Sequence, residues 1–369
     1  MEEPLFLQTE GKMPESAWRI GRVVIPNRFA LAPMAGVTDL PFRLLCKEQG
    51  AGLICMEMVS AKAISYHNKN TQALLEIHPA EHPVSLQLFG NEPELMGEVA
   101  KSIEELPFDI LDLNMGCPVP KVVNNNEGSA LLKDPVLVAR IVSSVSHAVS
   151  KPVTAKIRIG FEGVSVDIPD LARRLEDAGA AAIIVHGRTR QQYYSGKADW
   201  EAIRLVKEAV TIPVIGNGDI DSGRTALKRM IESGCDAVMV GRAARGNPWI
   251  FQELNSYFAG ARQESRIICG TEQPPEGWRR AEKQQEGRRP YDPAHLERVC
   301  AMILRHAGMQ VEYHGEKAGM REMRKHIAWY TAGMPHGAVL RREANTVETY
   351  AALQELLDKY TKSYYNDFS

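Results

Sequence analysis

A short polar tip, Asn114-Met115-Gly116-Cys117-Pro118, follows directly on the apolar run from Phe108 to Leu113. The run reads as a buried strand, and the tip begins where that strand should stop. Asn114 offers an amide that both donates and accepts hydrogen bonds. Gly116 and Pro118 bend the chain and hold Cys117 at the bend. A thiol fixed beside an amide at a strand end is a candidate proton donor or nucleophile. The plainer alternative is a structural cysteine in a turn, since free cysteine is commonly buried.

Other polar groups fall at the same kind of position. Pro33-Met34-Ala35 ends one apolar run, Gln87 lies in a second, and Lys156 and Arg158 lie in a third. His186-Gly187-Arg188, Gly216-Asn217-Gly218-Asp219 and Gly241-Arg242 close three more. The last two suit an anion. Glycines let backbone N–H groups approach a phosphate, and Arg242 adds a bidentate partner. Lys156 stands among Val153, Ala155 and Ile157, so an ammonium pointing inward needs an anionic neighbour. The edge of a reduced flavin ring is one such anion. Singly, each group has an ordinary explanation: a solvated strand lysine, a buried amide bonded to backbone, a core histidine. Together, at the ends of successive strands, they read as one site.

A scaffold must gather those ends. Strand-like runs at 29–33, 53–57, 84–89, 108–114, 153–159, 181–186, 214–216 and 237–241 alternate with amphipathic stretches at 94–105, 135–149, 168–178, 200–209 and 224–232. Eight strands with intervening helices predict a closed (β/α)8 TIM barrel, whose chemistry sits at the C-terminal ends of its strands. A doubly wound sheet is disfavoured, because Pro33-Met34-Ala35-Gly36 is no dinucleotide-binding glycine fingerprint. Residues 1–28 read as an N-terminal segment with a short hairpin, 18–28, capping the barrel floor, and the barrel runs over 29–258. Residues 259–290, rich in Arg, Glu, Gln, Gly and Pro, read as a polar linker or insertion. Helical patterns return over 293–307, 317–330 and 346–360, so 291–369 reads as a small helical domain.

Length and composition narrow the class. The 369 residues carry a formal net charge of −2, so a nucleic-acid partner would need a local basic patch. The six cysteines form no C-x-x-C pair, which argues against a zinc site or a disulfide framework and fits a reducing cytoplasm. The first ten residues lack the pattern of a signal peptide, and no apolar run approaches the ~20 residues of a membrane span. No metal and no membrane are expected.

The motifs together resemble the tRNA-dihydrouridine synthases, most closely the bacterial B-type branch. The resemblance rests on Ala32-Pro33-Met34-Ala35-Gly36-Val37-Thr38-Asp39, Asp112-Leu113-Asn114-Met115-Gly116-Cys117-Pro118 and Lys156-Ile157-Arg158. Val185-His186-Gly187-Arg188-Thr189-Arg190, Asn217-Gly218-Asp219-Ile220 and Val240-Gly241-Arg242-Ala243 continue it. It runs from about Ile20 to Phe251 and resumes weakly over 317–330; the polar stretch at 260–290 is longer than the family leads one to expect. The resemblance implies an oxidoreductase with FMN at the barrel mouth and NADPH (or NADH) as reductant. It implies that Pro33, Met34 and Ala35 line the ring, that Gln87 and Lys156 meet its polar edge, and that His186, Asn217, Gly218, Asp219, Gly241 and Arg242 hold the phosphate end. It implies, too, that a tRNA uridine leaves its stack and takes hydride at C6 and a proton at C5 from Cys117, with Asn114 and Arg158 among its contacts.

The tail fits an RNA substrate. Lys317, Arg321, Arg324 and Lys325 share one side of a helix whose other side carries Met320, Met323, Ile327 and Tyr330. Arg341 and Arg342 lie nearby. A basic stripe is often merely a solvated face, but beside these motifs it reads as phosphate contact. Two competing readings remain at this point. One is an FMN barrel acting on a free pyrimidine, similar to the dihydroorotate dehydrogenases; the other is a non-catalytic RNA-binding protein.

Overall fold

The computed structural model describes residues 17–161, 166–268 and 293–368. They fall into two compact units. The first takes the chain through Arg242 and then Trp249–Arg262; the second takes Ala243–Pro248 and the chain from Gln263 onward.

In the first unit an antiparallel pair, β1 (Trp18–Ile20) and β2 (Val23–Ile25), precedes eight parallel strands. These are β3 (Phe29–Leu31), β4 (Leu53–Ser60), β5 (Val84–Phe89), β6 (Ile110–Met115), β7 (Val153–Arg158), β8 (Ala182–His186), β9 (Val214–Asn217) and β10 (Ala237–Val240). They close in the order β10-β3-β4-β5-β6-β7-β8-β9, a (β/α)8 barrel as the alternation of runs predicts. Ile20 and Ile25 of the pair join Ala30, Leu53, Ile110, Ala182, Ile215 and Ala237 in one buried cluster, which seals the end where the strands begin.

Helix starts are written into the chain. Asp134, Asp167 and Asp199 each accept a hydrogen bond from the backbone N–H three residues on, opening Pro135–Ala148, Ile168–Asp177 and Trp200–Ala209. Ser222 does the same for Gly223–Ser233, which ends on Gly234 at φ +66°.

Strand alternation sorts the interior by chemistry. Side chains two apart share a face, so the series entering at Ile110, Ala182 and Ile215 continues to Asp112 and Asn114, to His186, and to Asn217. Apolar residues fill the floor and polar ones crown it. Leu111, Leu113, Ala155 and Ile157, buried on the opposite parity, face outward.

One boundary differs from the expectation. The helix Ile250–Ile268 runs through Gly260, where a linker was expected to begin. Ile250, Leu254, Phe258 and Ala261 are buried at helical spacing, an apolar stripe that the polar residues between them mask. The remainder of the expected linker, 269–290, lies outside the described residues.

The second unit contains the helices Pro293–His314, Glu316–Tyr330, Gly337–Ala344 and Tyr350–Phe368. The first outruns the stretch expected to be helical, and Gly337–Ala344 had no clear apolar signal. Among the described residues, no helix is long and apolar enough to cross a membrane.

Candidate active site

Parallel register sets the residues of the barrel mouth side by side. Asn114 pairs with Lys156, Arg158 with His186, and His186 with Asn217. The groups expected at the ends of β6, β7, β8 and β9 are therefore strand neighbours.

Cys117 is clamped. Its N–H donates to Asn114 Oδ1 at 2.9 Å, and its carbonyl accepts from the Ser129 N–H at 3.0 Å. Gly128, at φ +59°, backs onto it so closely that a Cβ there would lie 2.8 Å from the Cys117 carbonyl oxygen. Burial pushes the Cys117 thiol above its ordinary pKa, against the pull of the Val119 backbone, Arg158 and Lys156, so the sulfur keeps its proton at neutral pH. Partly exposed, it can still meet a substrate; Cys46, Cys55, Cys235 and Cys300 are buried.

Asn114 was expected to grip a substrate edge. Instead all four of its amide positions are taken. Oδ1 accepts from Gly116 and Cys117, while Nδ2 donates to Gln87 Oε1 at 2.8 Å and to Met58 Sδ at 3.3 Å. Gln87, expected at a cofactor edge, is 1% exposed and engaged at both ends, with Nε2 donating to Asp112 Oδ2 at 2.6 Å. Arg158, expected to touch substrate, is buried and staples loops together. Its Nε donates to the Gly116 carbonyl at 2.8 Å, and its Nη1 to those of Thr189 and Tyr193.

Lys156 reaches Asn217 Oδ1 at 3.4 Å. Burial and the Arg158 charge lower it to about 8, with Asp112 opposing, so at neutral pH it is still mostly an ammonium. His186 is lowered to about 2 by burial and then by Lys156, Arg158, Arg188 and Arg242, and stays neutral. The mouth is a positive field.

Asp219, expected at the phosphate end, spends its carboxylate on protein donors, which leaves its side chain no direct part in holding an anion. Its oxygens accept two bonds from Arg188 Nη2 at 2.8 Å, one from the Ala198 N–H and one from Arg242 Nη2 at 3.1 Å. It aims two arginines. Arg188, 1% exposed, lies in a strand-end triplet picked out on sequence grounds but was assigned no contact of its own, and its Nη1 is a buried donor with no hydrogen-bond partner. A Cβ on Gly218, at φ +136°, would lie 3.7 Å from that nitrogen. An uncommitted guanidinium nitrogen beside a glycine backbone, with Arg242, 42% exposed, bonded to the same Asp219 Oδ1 as Arg188, suits an anion such as phosphate. Period-two counting from His186 points to Arg188, and the His-Gly-Arg triplet was the available signal.

Pro33, Met34 and Ala35 form a turn in which Met34 O accepts from Val37 and Thr38 N–H, leaving Ala35 exposed. Gly241 stands beside them; a Cβ there would meet Met34 Sδ at 3.9 Å. In the second unit, Met320, Met323, Ile327 and Tyr330 are buried as expected, together with His326. The basic stripe is uneven. Lys317 and Arg321 are exposed, Lys325 pairs with Glu322, and Arg324 is half-buried with its Nε enclosed. Arg341 bonds the Thr331 carbonyl at 2.9 Å, a structural contact.

A closed (β/α)8 barrel with a thiol, an ammonium and paired arginines at its mouth defines an enzyme site, and the chain belongs to the dihydrouridine synthase (Dus) family, whose profile matches residues 30–365. It is 40% identical over 334 residues to tRNA-dihydrouridine synthase B of Pseudomonas aeruginosa, covering 90% of this chain and 92% of that one. It is 37% identical over 349 residues to a probable tRNA-dihydrouridine synthase of Rickettsia bellii, covering 94% and 99%. The fold also resembles 6-hydroxypseudooxynicotine amine oxidase from Pseudomonas geniculata, at a TM-score of 0.54 and 15% identity over 71% of this chain and 51% of that one.

Proposed function

We propose that this chain reduces uridines in tRNA to 5,6-dihydrouridine, using FMN at the barrel mouth and NADPH as the source of electrons. What carries the reading is a protonated thiol, Cys117, whose N–H is clamped by Asn114, the strand neighbour of Lys156, together with the unpartnered Nη1 of Arg188 just beyond the end of β8. Bound there, the flavin supplies hydride to uracil C6. The protein's own part is to complete the addition. Charge then gathers toward C5, and Cys117 donates its proton to that carbon. Asn114 and Arg158 hold the loop that carries the thiol. Arg188 and Arg242, with the Asn217–Gly218 backbone, would hold the flavin's phosphate; Lys156 and the Pro33–Ala35 turn would meet its ring, the ammonium stabilising negative charge there. Uridines in loops leave their stack at least cost, which favours folded RNA with exposed loops as substrate.

The direct test incubates the purified chain with FMN, NADPH and tRNA and counts dihydrouridine by mass spectrometry. Formation in tRNA but not from free uracil is the expected result. Turnover of free pyrimidine with tRNA untouched would replace this reading by the free-pyrimidine one.

Arg242→Ala and Lys156→Met should fail in different ways. Arg242 is 42% exposed, so its loss should cost about 1.5 kcal/mol of phosphate binding, roughly tenfold in flavin affinity. Lys156 is charged below about pH 8, so flavin reduction by NADPH should slow as pH rises through that value. Lys156→Met should be slow throughout and lose that limb. Matching flavin affinities and pH profiles in the two variants would remove both assignments.

The second unit should contribute RNA grip and no chemistry. Lys317 and Arg321 are its exposed stripe residues, so Lys317→Glu with Arg321→Glu should raise KM for tRNA. The salt dependence should flatten by about 0.7–0.9 per lost contact. Flavin reduction should be untouched. An unchanged KM and salt slope would make the stripe a solvated face.

A further inference from the structure

We propose that Asp112 is a positioning residue: its carboxylate fixes the direction of two successive amides, and through them the backbone of the Cys117 loop. This rests on the reading of Cys117 as proton donor. The chain of contacts is continuous. Thr154 Oγ1 donates to Asp112 Oδ1 at 2.6 Å, and Gln87 Nε2 donates to Asp112 Oδ2 at 2.6 Å. Gln87 Oε1 then accepts from Asn114 Nδ2 at 2.8 Å, and Asn114 Oδ1 accepts from the Cys117 and Gly116 N–H groups at 2.9 and 3.2 Å. β5, β6 and β7 hold Gln87, Asp112 and Thr154 in register, so the relay is built into the sheet.

Direction is the point. A carboxylate only accepts, so Gln87 must turn its NH2 toward Asp112 and its oxygen toward Asn114. Asn114 must then turn its NH2 toward Gln87, which leaves its oxygen for the loop. Reverse the first amide and the second meets it NH2 to NH2. Asn114 must then reverse as well, and two backbone donors at Gly116 and Cys117 lose their acceptor. Buried groups left unpaired are costly, so the loop would move. Burial raises the Asp112 carboxyl to about 6, while Thr154, Gln87 and Lys156 hold it down, so it is an ion at neutral pH. Among the described residues, Cys55 and Lys156 are titratable groups whose own pKa values feel its charge.

The polarity argument separates shape from charge direction. Asp112→Leu keeps most of the volume but frees the first amide. Asp112→Asn keeps the relay, because its oxygen can still accept from Gln87 while its NH2 donates to the Thr154 hydroxyl, which can reverse. In the flavin-loaded protein at neutral pH, Asp112→Leu should lower kcat for tRNA reduction roughly a hundredfold, the order expected of about 1 Å of misplacement, with KM for tRNA unchanged. Asp112→Asn should recover most of that loss. Iodoacetamide labelling of Cys117, read by peptide mass spectrometry, should change in rate for Asp112→Leu and return toward the original for Asp112→Asn. Gln87→Met should behave like Asp112→Leu, and decides the matter if the leucine variant does not fold. Wild-type kcat and labelling in Asp112→Leu and Gln87→Met would overturn the relay, as would an Asp112→Asn variant as impaired as Asp112→Leu. If Cys117→Ala still forms dihydrouridine, the proton-donor reading fails, and the labelling rates still decide the relay.

Discussion

Replacing Cys117 with alanine should leave a protein that keeps its flavin and accepts electrons from NADPH at the normal rate, yet reduces tRNA 10²–10⁴-fold more slowly, roughly the share of a general acid. The two half-reactions separate because the thiol serves only the carbon that needs a proton. Its raised pKa keeps the proton available, and Asn114, Ser129 and Gly128 fix the backbone that carries it. The loss is a missing donor, so a serine in the same place, whose hydroxyl is a far weaker acid, should recover little. Stopped-flow traces of flavin reduction and of reoxidation by tRNA measure the two steps in one sample. Near-normal reoxidation by the alanine variant would move the proton to another group.

Arg188→Ala should be the most damaging change at the phosphate end. The side chain is 1% exposed and doubly bonded to Asp219, with further bonds to the Ser195 and Gly196 carbonyls. Removing it leaves Asp219 with Arg242 and the Ala198 N–H as partners and opens a cavity. Breaking a buried pair on one side costs about 3–5 kcal/mol, the lower end applying here because Asp219 is 32% exposed. A lower melting temperature and purified protein almost without flavin are expected together. Arg188→Lys should restore part of the melting temperature and little of the flavin, since an ammonium cannot serve Asp219 and an anion in one plane. Full flavin content in Arg188→Ala would shift the phosphate to Arg242 alone.

The barrel was legible because its strands are apolar runs with polar groups at one end, and period two then decides what faces inward. Asn114, Lys156, His186 and Asn217 were reached this way, and their strand register is what a closed parallel sheet imposes. Side-chain partners are a different matter. Asn114, Gln87 and Arg158 carry the right chemistry to touch a ligand, and nothing in the order of residues shows that Cys117, Asp112, Gly116 and Thr189 already engage them. Asp219 reads as part of a glycine-rich anion loop until its carboxylate is seen gripping Arg188 and Arg242. The helix through Gly260 was missed for a local reason: polar residues surround a buried stripe, and Phe258 packs edge-on against Phe29, far away in sequence.

The gathering of Lys156, Arg158, Arg188 and Arg242 around a neutral His186, with Asp219 as counter-charge to the two outer arginines, has a consequence for the life of the protein in a cell. Like charges held together strain the folded state, and the proposed FMN, an anion, would relieve that strain on binding. Free cofactor at a hundred times its dissociation constant adds about 2.7 kcal/mol to folding. A difference of that size changes how much of a protein escapes proteolysis. Abundance should therefore follow riboflavin supply: starved cells would hold less of the chain itself, and the modification would fall faster than the vitamin does.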